Sequence, residues 1–183
     1  MAYIRNNANI VKGDQLWLFI TKTITTDGTT TSVGDAKPIA FATNCSLNRS
    51  MNTTSVSSKD HGNTSYLIPG EGSWTASTEA LYAISVDSGA TGFDDLMAIF
   101  DNHELVNVKF GYVADGGTNI VDVDGAQNWT ITSGWSGQGY LTSLQASGSH
   151  GETSSWSAEI AGVGVLSAIP APTPTPTQTQ NHE

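Results

Sequence analysis

The side chains that usually carry catalysis or bind metals are few in this chain and lie far apart. Four histidines are present, and none has a second histidine at a metal-ligand spacing: His61, His103, His150 and His182. Zinc sites need such pairs, or cysteines, close together, and Cys45 is the single cysteine. The histidines are therefore interpreted as surface or helix-end residues. No metal site and no internal disulfide are predicted.

Two segments resemble parts of known motifs but lack a residue that each motif needs. Gly134–Gly137 begins like the nucleophile elbow of serine hydrolases, yet Gln138 stands where the closing glycine belongs. The parallel α/β context of that elbow is also missing. A glycine and three aspartates suggest a calcium loop: Asp115, Asp122, Asp124 and Gly125. They lack the EF-hand spacing, which ends in a glutamate ligand, and are interpreted as a turn.

The remaining candidates do not add up to an active site. Asp94 and Asp95 are adjacent on a predicted helix and project in different directions, so they cannot act as an acid–base pair. No glycine-rich loop carries a lysine for phosphate binding. The chain is therefore predicted not to be an enzyme and to need no cofactor.

Two tryptophans keep a binding function open. Trp129 and Trp135 flank a predicted hairpin, and exposed tryptophan beside Asn or Asp on a β-sandwich can bind sugars. The other interpretation places both rings in the core or at a subunit interface. A carbohydrate-binding or adhesin-like β-sandwich is therefore kept as an alternative function.

The composition favours strands and turns. The chain has 183 residues, a length typical of one domain, with 20 Ser, 23 Thr and 19 Gly. Hydroxylated, glycine and aromatic residues favour strands and turns over helices. Apart from one helical stretch, the apolar patterns predict strands at Gln15–Lys22, Lys37–Met51, Ser73–Asp87 (in two pieces), Leu105–Val113, Trp129–Trp135, Gly139–Ser147 and Thr153–Leu166.

The net charge of −10, from seven basic and seventeen acidic residues, restricts the partners. Proteins that grip nucleic acid need clustered Lys and Arg, and so do proteins that bind anionic membranes. No apolar run approaches 18 residues, and the first residues lack the apolar segment of a secretory signal. Synthesis in the cytoplasm is expected.

One stretch has the pattern of a helix. Thr91 and Asp94 match a capping box, and four apolar residues follow at helical spacing: Phe93, Leu96, Met97 and Phe100. The helix is expected to end near Asn102 or His103, with this stripe packed against a sheet. The predicted fold is mainly β, a sandwich or barrel of about seven to eight strands with one flanking α-helix.

The polar segments suggest the domain organisation. Residues 1–14 are expected to form an N-terminal arm, 15–168 the folded domain, and 169–183 an extended Pro/Thr-rich tail that acts as a spacer or a docking peptide. Thr25–Asp35 is predicted to be a polar loop. Asn52–Gly72 is either a long functional loop without regular structure or a hairpin that projects from the domain.

The order of these signals along the chain is informative. It consists of Gly13-Asp14, Lys37–Leu47, Thr54–Asp60, Gly72–Trp74, Glu79–Leu81, Phe93–Leu96, Val106–Phe110, Gly139–Leu144 and Ile160–Leu166. This order resembles that of the major tail tube proteins of long-tailed, siphovirus-type bacteriophages, from about residue 8 to 168. Similar folds also form the inner tubes of contractile tails and other contractile injection systems, and the sequence does not separate these relatives.

The resemblance implies a structural virion protein whose hexameric rings stack into a tube. Its inner sheets would join into one barrel around the lumen, and the loop at 48–72 would contact the neighbouring ring. The residues expected in that contact are Thr54, Ser55, Val56, Ser57, Ser58, Lys59, Asp60 and His61. Other tail proteins, namely the tape measure, tail terminator and distal tail proteins, are the implied partners.

The resemblance also gives the acidic charge a role. Viral double-stranded DNA would pass through the lumen without specific binding, and a wall of like charge with few Lys or Arg prevents sticking. Ser155, Ser157 and Glu159 share one side of the last predicted strand and are candidate lumen-facing residues. The expected location is the tail of a virion made in the bacterial host cytoplasm, without any membrane contact.

Overall fold

The computed structural model describes residues 11–26, 29–57, 59, 64–86, 89–113 and 131–169. The described strands and helix, in chain order after a short 3-10 turn at Gly13–Gln15, are β1 (Leu16–Thr26), β2 (Thr29–Pro38), β3 (Ala42–Val56), β4 (Tyr66–Leu81), α1 (Phe93–Asp101), β5 (Leu105–Val113), β6 (Ile131–Ser147) and β7 (Ser155–Ile169). The strands form one antiparallel sheet in the order β2-β1-β5-β6-β7-β4-β3. The predicted mainly β fold with one helix is confirmed.

The sheet folds over so that its two ends meet. The long strand β6 pairs with β5 through its first half and with β7 over most of its length. Across the fold, the Cys45 thiol of β3 hydrogen-bonds the backbone of Leu18 in β1, although β1 and β3 are not neighbours in the sheet. The core between the two layers includes Leu18, Trp74 and Ile160. The architecture is therefore a β-sandwich made from one bent sheet.

Several predicted boundaries were wrong. Much of the predicted loop Thr25–Asp35 belongs to β1 and to β2, which pair with each other. The predicted strand Lys37–Met51 is interrupted by a turn at Phe41, where φ is 52°. The segments predicted as separate strands around Trp135 and Tyr140 are both part of β6.

The long polar segment 52–72 is mostly regular structure. β3 and β4 pair from Ala42↔Ala80 to Val56↔Tyr66, with register shifts at 42–44 and at 51–53, so the segment is a hairpin, as one of the two interpretations proposed. After Leu81 the chain leaves the sheet, and the predicted strand piece at 82–87 is not formed by its described residues. The backbone of segment 52–72 is defined by hydrogen bonds between β3 and β4, because its described side chains are exposed.

The helix begins one residue later than predicted. Its N-cap is Gly92, whose amide donates to the Asp95 carboxylate at 3.1 Å. Thr91 is instead bonded to the end of β2: its amide donates to the Pro38 carbonyl at 2.8 Å, and its carbonyl accepts from Ala40. The C-cap is Asn102, as expected.

The buried stripe of α1 is rotated from the predicted one. Leu96 and Ile99 are 1% and 2% exposed, and Phe93 and Phe100 pack against the core. Met97, predicted in this stripe, is 39% exposed. The stripe centres between Leu96 and Ile99, which places position 97 about 130° of helical rotation from that centre. Ile99 therefore has the packing role assigned to Met97.

A pair of alanine substitutions distinguishes the two faces of α1. Ile99→Ala is expected to lower the free energy of unfolding by about 2–4 kcal/mol, because it leaves a cavity under the helix. Met97→Ala is expected to change it by less than about 0.5 kcal/mol. Urea unfolding of dilute protein measures both, and similar losses for the two variants would contradict the observed orientation.

Candidate assembly surfaces

One side of the layer formed by β3, β4, β7 and the second half of β6 is polar. Residues opposite each other in antiparallel strands point to the same side, and the pairing places one set of polar side chains together. The set, called the polar face below, is Asn44, Ser46, Asn48, Thr75, Ser77, Glu79, Ser143, Gln145, Ser147, Ser155, Ser157 and Glu159. The other side of β7 carries the buried residues Trp156, Ala158 and Ile160.

Hydroxyl groups and two carboxylates define the chemistry of the polar face. The hydroxyls of Ser46 and Ser77 lie 2.7 Å apart across β3 and β4. Its only charged members are Glu79 and Glu159, and its set contains no Lys or Arg. An open depression of about 620 Å³ lies over this surface and is lined by residues such as Glu79, Gln145 and Ser157. The polar face is therefore hydrophilic and weakly acidic.

The residues predicted to face a lumen lie on this surface. These residues of β7 pair with β4: Ser155 with Leu81, Ser157 with Glu79 and Glu159 with Ser77. The sequence pattern placed the three on one side but missed their neighbours Asn44, Ser46 and Glu79. The alternation of polar and apolar residues at 44–48 was the signal for them, because a half-buried strand has that pattern.

Two backbone edges of this layer have no paired strand among the described residues. Among the described residues, positions 141–147 of β6 pair with β7 alone, and β3 pairs with β4 alone. These two edges lie on opposite sides of the four-stranded layer. Edges of this kind bind another strand readily, because their amide and carbonyl groups point outward.

The end of the β3–β4 hairpin projects from the sandwich. All described residues of 48–57 and 64–73 are exposed, and we call these two stretches the projecting hairpin. Large apolar side chains lie on it: Met51, Val56, Tyr66, Leu67 and Ile68, exposed by 57%, 42%, 55%, 67% and 53%. A two-stranded hairpin alone is only marginally stable in water. Its apolar surface is therefore a candidate contact with another protein.

The predicted contact residues belong to this hairpin only in part. Thr54, Ser55 and Val56 lie in β3, Ser57 directly follows it, and Lys59 is exposed in the connection. Three others lie outside the described residues: Ser58, Asp60 and His61. The prediction missed the apolar side chains of β4, although Tyr66-Leu67-Ile68 is an apolar run within a polar segment.

Arg49 and Trp135 meet near the base of the projecting hairpin. The Arg49 guanidinium lies 5.6 Å from the centre of the Trp135 ring, a cation–π contact. Trp135 is 39% exposed. Arg49 covers one face of its ring, and a sugar would have to stack on such a face. Trp129, its predicted companion, lies outside the described residues. The geometry therefore gives the sugar-binding alternative no support.

The residues considered for catalysis are dispersed. Gly134–Gly137 lies within strand β6, not on a strand-to-helix turn, and His103 and His150 are exposed. In the described ranges, no group of three or more His, Cys, Asp or Glu is placed to hold a metal ion. Asp115, Asp122, Asp124, Gly125 and His182 lie outside those ranges. In the same ranges, no helix is long and apolar enough to span a membrane.

Cys45 is a packed thiol at the edge of the core. Its sulfur lies 3.5 Å from the Thr78 hydroxyl. Burial raises the pKa of the Cys45 thiol, and hydrogen bonds with Thr78 and the Leu18 backbone offset part of that effect. The thiolate, which is the reactive form, is therefore disfavoured at neutral pH.

A family comparison covers most of the chain. The family model described as phage tail tube protein matches residues 21–168. No curated protein sequence matches the chain significantly.

Solved structures show the same fold at low sequence identity. A chain from the virion of a native gene transfer agent has a TM-score of 0.59 and 18% identity, covering 88% of this chain and 100% of that one. The SPP1 tail tube protein has a TM-score of 0.59 and 10% identity, with coverage of 87% and 78%. A chain from the sheath–tube complex of an extracellular contractile injection system, PVC, has a TM-score of 0.50 and 10% identity, covering 92% and 100%.

Proposed function

The chain belongs to the phage tail tube protein family, and on that premise we propose that it assembles into stacked rings that form the tail tube of a virion. Its role is structural. The observation that carries the ring proposal is the four-stranded layer with a polar face and two opposite edges open to pairing. A virion tail component of this kind acts through its surfaces, with no catalytic step.

Ring closure follows from pairing these edges. If β6 of one copy pairs with β3 of the next, each contact between copies is head-to-tail. Such contacts close into a ring when the rotation that relates neighbouring copies divides a full turn. Closure removes the exposed edges. A gene transfer agent tail, similar in fold to this chain, was solved with C6 symmetry. We therefore propose six copies in each ring.

The polar face is the proposed lumen wall. Its serine, threonine and amide side chains hold water, and Glu79 and Glu159 repel phosphate groups. Double-stranded DNA would then slide past Ser155, Ser157 and Glu159 without binding. The projecting hairpin, with Thr54–His61, would contact the neighbouring ring, because its apolar side chains lie outside the sandwich.

The rest of the chain has a proposed place in the assembly. We propose that residues 15–168 form the tube domain, with residues 1–14 as an N-terminal arm and the Pro/Thr-rich residues 169–183 as a spacer on the outer surface; residues 1–10 and 170–183 lie outside the described residues. Tape measure, terminator and distal tail proteins are the proposed partners inside the tube and at its ends. Subunits would be made in the host cytoplasm before the tail is assembled.

Electron microscopy of the purified chain over a concentration series tests the assembly. Hollow rings and tubes whose abundance rises with concentration are the expected result. Monomers alone at high concentration, in the presence of folded protein by circular dichroism, would argue against a self-assembling tube protein.

A charge reversal tests the proposed lumen wall. Glu159→Lys is expected to leave tubes intact but to lower DNA delivery on the order of tenfold, because every subunit adds a cation to the channel. Complementation of a phage that lacks its tube gene measures infectivity, and potassium release measures ejection. Asp101→Lys at the exposed end of α1 is the matched control, expected to be neutral. Equal infectivity for the two variants would place Glu159 away from the lumen.

A further inference from the structure

Strand β1 crosses the four-stranded layer from one open edge to the other. At the β3 edge, the Cys45 thiol hydrogen-bonds the backbone of Leu18 in β1. Near the β6 edge, the Thr23 hydroxyl donates to the Leu105 carbonyl, and Leu105 pairs with Tyr140 of β6. The five residues from Leu18 to Thr23 span about 16 Å, and the four strands of the layer span about 14 Å. The two lengths agree, so β1 covers the width of the layer.

The end of the β1–β2 hairpin continues past the β6 edge. β1 and β2 remain paired from Ile24↔Thr31 to Thr26↔Thr29, whereas the pairing of β1 with β5 ends at Lys22↔Val106. Residues 24–26 and 29–31 are called the outer hairpin end below. Three residues of strand beyond Thr23 add about 10 Å. The outer hairpin end therefore lies on the side where β6 has no paired strand at 141–147.

A groove lies at the opposite edge of the layer, between the start of β1 and β3. Its volume is about 420 Å³, and its lining includes Asp14, Leu16, Trp17, Ala42, Thr43 and Cys45. Leu16 is 36% exposed. The Trp17 indole donates to the Asp14 carbonyl at 2.9 Å, which fixes that ring in the wall of the groove. The groove thus offers both apolar and polar contacts at the β3 edge.

The groove and the β6 edge lie on the same rows of the layer. Asn44 pairs with Glu79, Glu79 with Ser157, and Ser157 with Gln145, so one row joins the two edges. The four strands alternate in direction, so β6 of one copy and β3 of the next would pair antiparallel. That pairing carries the outer hairpin end of the first copy over the β3 edge of the second.

We propose that the groove holds the outer hairpin end of a second copy of this chain in the same ring. The proposal rests on the proposed function, because it adds a second contact to each joint between neighbours. Pairing of β6 with β3 joins the polar layers of two copies, and the hairpin end in the groove joins their opposite layers. Each joint is then closed on both layers of the sandwich.

The sequence of the outer hairpin end suits this groove. Five of its six residues are threonine: Thr25, Thr26, Thr29, Thr30 and Thr31. Threonine carries a methyl group and a hydroxyl group, so such a segment can contact Leu16 and Trp17 as well as Asp14 and Thr43. Edge strands of this length are also protected from unwanted pairing when a neighbouring molecule covers them.

Disulfide trapping between two single-cysteine variants tests the contact. In a Cys45→Ser background, Thr26→Cys and Leu16→Cys proteins are mixed, assembled, inspected for rings by electron microscopy and oxidised with copper phenanthroline. A covalent dimer is expected from the mixture, at least several-fold above a control that mixes Thr26→Cys with Val165→Cys, which is 82% exposed on β7. Because each chain has one cysteine, every dimer bond joins two copies.

Hydrogen–deuterium exchange tests the same contact without any substitution. On going from dilute subunits to rings, amides at 24–31 and at 13–17 are expected to exchange at least several-fold more slowly. The amides of the central strand β5 at 106–112 are the internal control, since both of its neighbours are present within the subunit. Unchanged exchange at 24–31 in rings would overturn the proposal.

The outcomes separate this contact from ring assembly itself. Rings of the cysteine variants that give no dimer above the control would overturn the groove assignment and leave the proposed function standing. Benzoylphenylalanine in place of Leu16 that captures residues 1–10, and not the outer hairpin end, would also overturn it. Absence of rings and tubes in the unsubstituted protein would instead contradict the proposed function.

Discussion

Replacing Gly162 with alanine is expected to destabilise the subunit severely, by about 3 kcal/mol or more. A Cβ atom at this position would overlap Cε2 and Nε1 of Trp74. The indole cannot move aside easily, because it is 4% exposed and its Nε1 donates to the Gly164 carbonyl at 3.2 Å. A Cβ at Gly137 would also meet the ring, at 2.6 Å. Overpacking of a closely filled site is strongly destabilising.

Urea unfolding and the near-ultraviolet circular dichroism of the tryptophans measure this effect. Gly13→Ala is the matched control, since a Cβ there meets nothing within 4 Å. The double variant Trp74→Leu/Gly162→Ala is expected to lose less stability than the sum of its two single changes, because the smaller side chain relieves the overlap. A Gly162→Ala protein within about 1 kcal/mol of the unsubstituted one would show that the ring is not fixed there.

The position of Trp74 connects the subunit core to assembly. Trp74 pairs with Arg49 in the β3–β4 ladder, at the point where the projecting hairpin leaves the sandwich. Arg49 in turn lies over Trp135. The hairpin is therefore held at its base by the buried indole and by the Arg49 contact, while the rest of it is exposed. Loosening Trp74 would change the direction of the hairpin as well as the stability of the fold.

The strands with alternating apolar residues could be predicted from sequence. Leu105–Val113 and the last strand each bury one side. The apolar alternation in the sequence therefore marks the same residues that hydrogen bonds place in these strands. β2 and the outer half of the β3–β4 hairpin could not be predicted in the same way. Their backbones are defined by hydrogen bonds to a neighbouring strand. In the outer half of the hairpin the described side chains are exposed, and a polar strand that pairs without burial has no hydrophobic period.

The candidate surfaces, like the strands, could be predicted from the sequence only in part. The alternation of polar and apolar residues in the last strand predicted its polar side, which carries Ser157 and Glu159. Its extension through Ser77 and Asn44 depends on which strands are neighbours and in what register, which one strand cannot show. The strained turn at Phe41 had no local signal, because neither Gly nor Asn marks it. Met97 was misassigned because a helix of two and a half turns permits more than one stripe.

Removing the apolar face of the projecting hairpin is expected to abolish tubes and spare the fold. Val56→Ser, Tyr66→Ser and Ile68→Ser together change side chains that are 42–55% exposed, so the subunit itself should lose little stability. In a stack, burial of these side chains would contribute about 5 kcal/mol per contact, equivalent to an affinity change of more than about a thousandfold. Deletion of residues 54–66 should have the same result by removing the hairpin.

Negative-stain microscopy and sedimentation show whether rings persist when tubes are lost. Thr53→Ala/Ser55→Ala changes polar residues on the opposite face of the same ladder and is the matched control, expected to form tubes. Rings without tubes in the triple variant would assign axial stacking to the hairpin and ring closure to the edges of β3 and β6. Tubes of normal length would exclude the hairpin from axial stacking, because the folded subunit would then assemble without its largest exposed apolar segment. Loss of rings as well would show that the hairpin also contributes to contacts within a ring, so that closure and stacking share one surface.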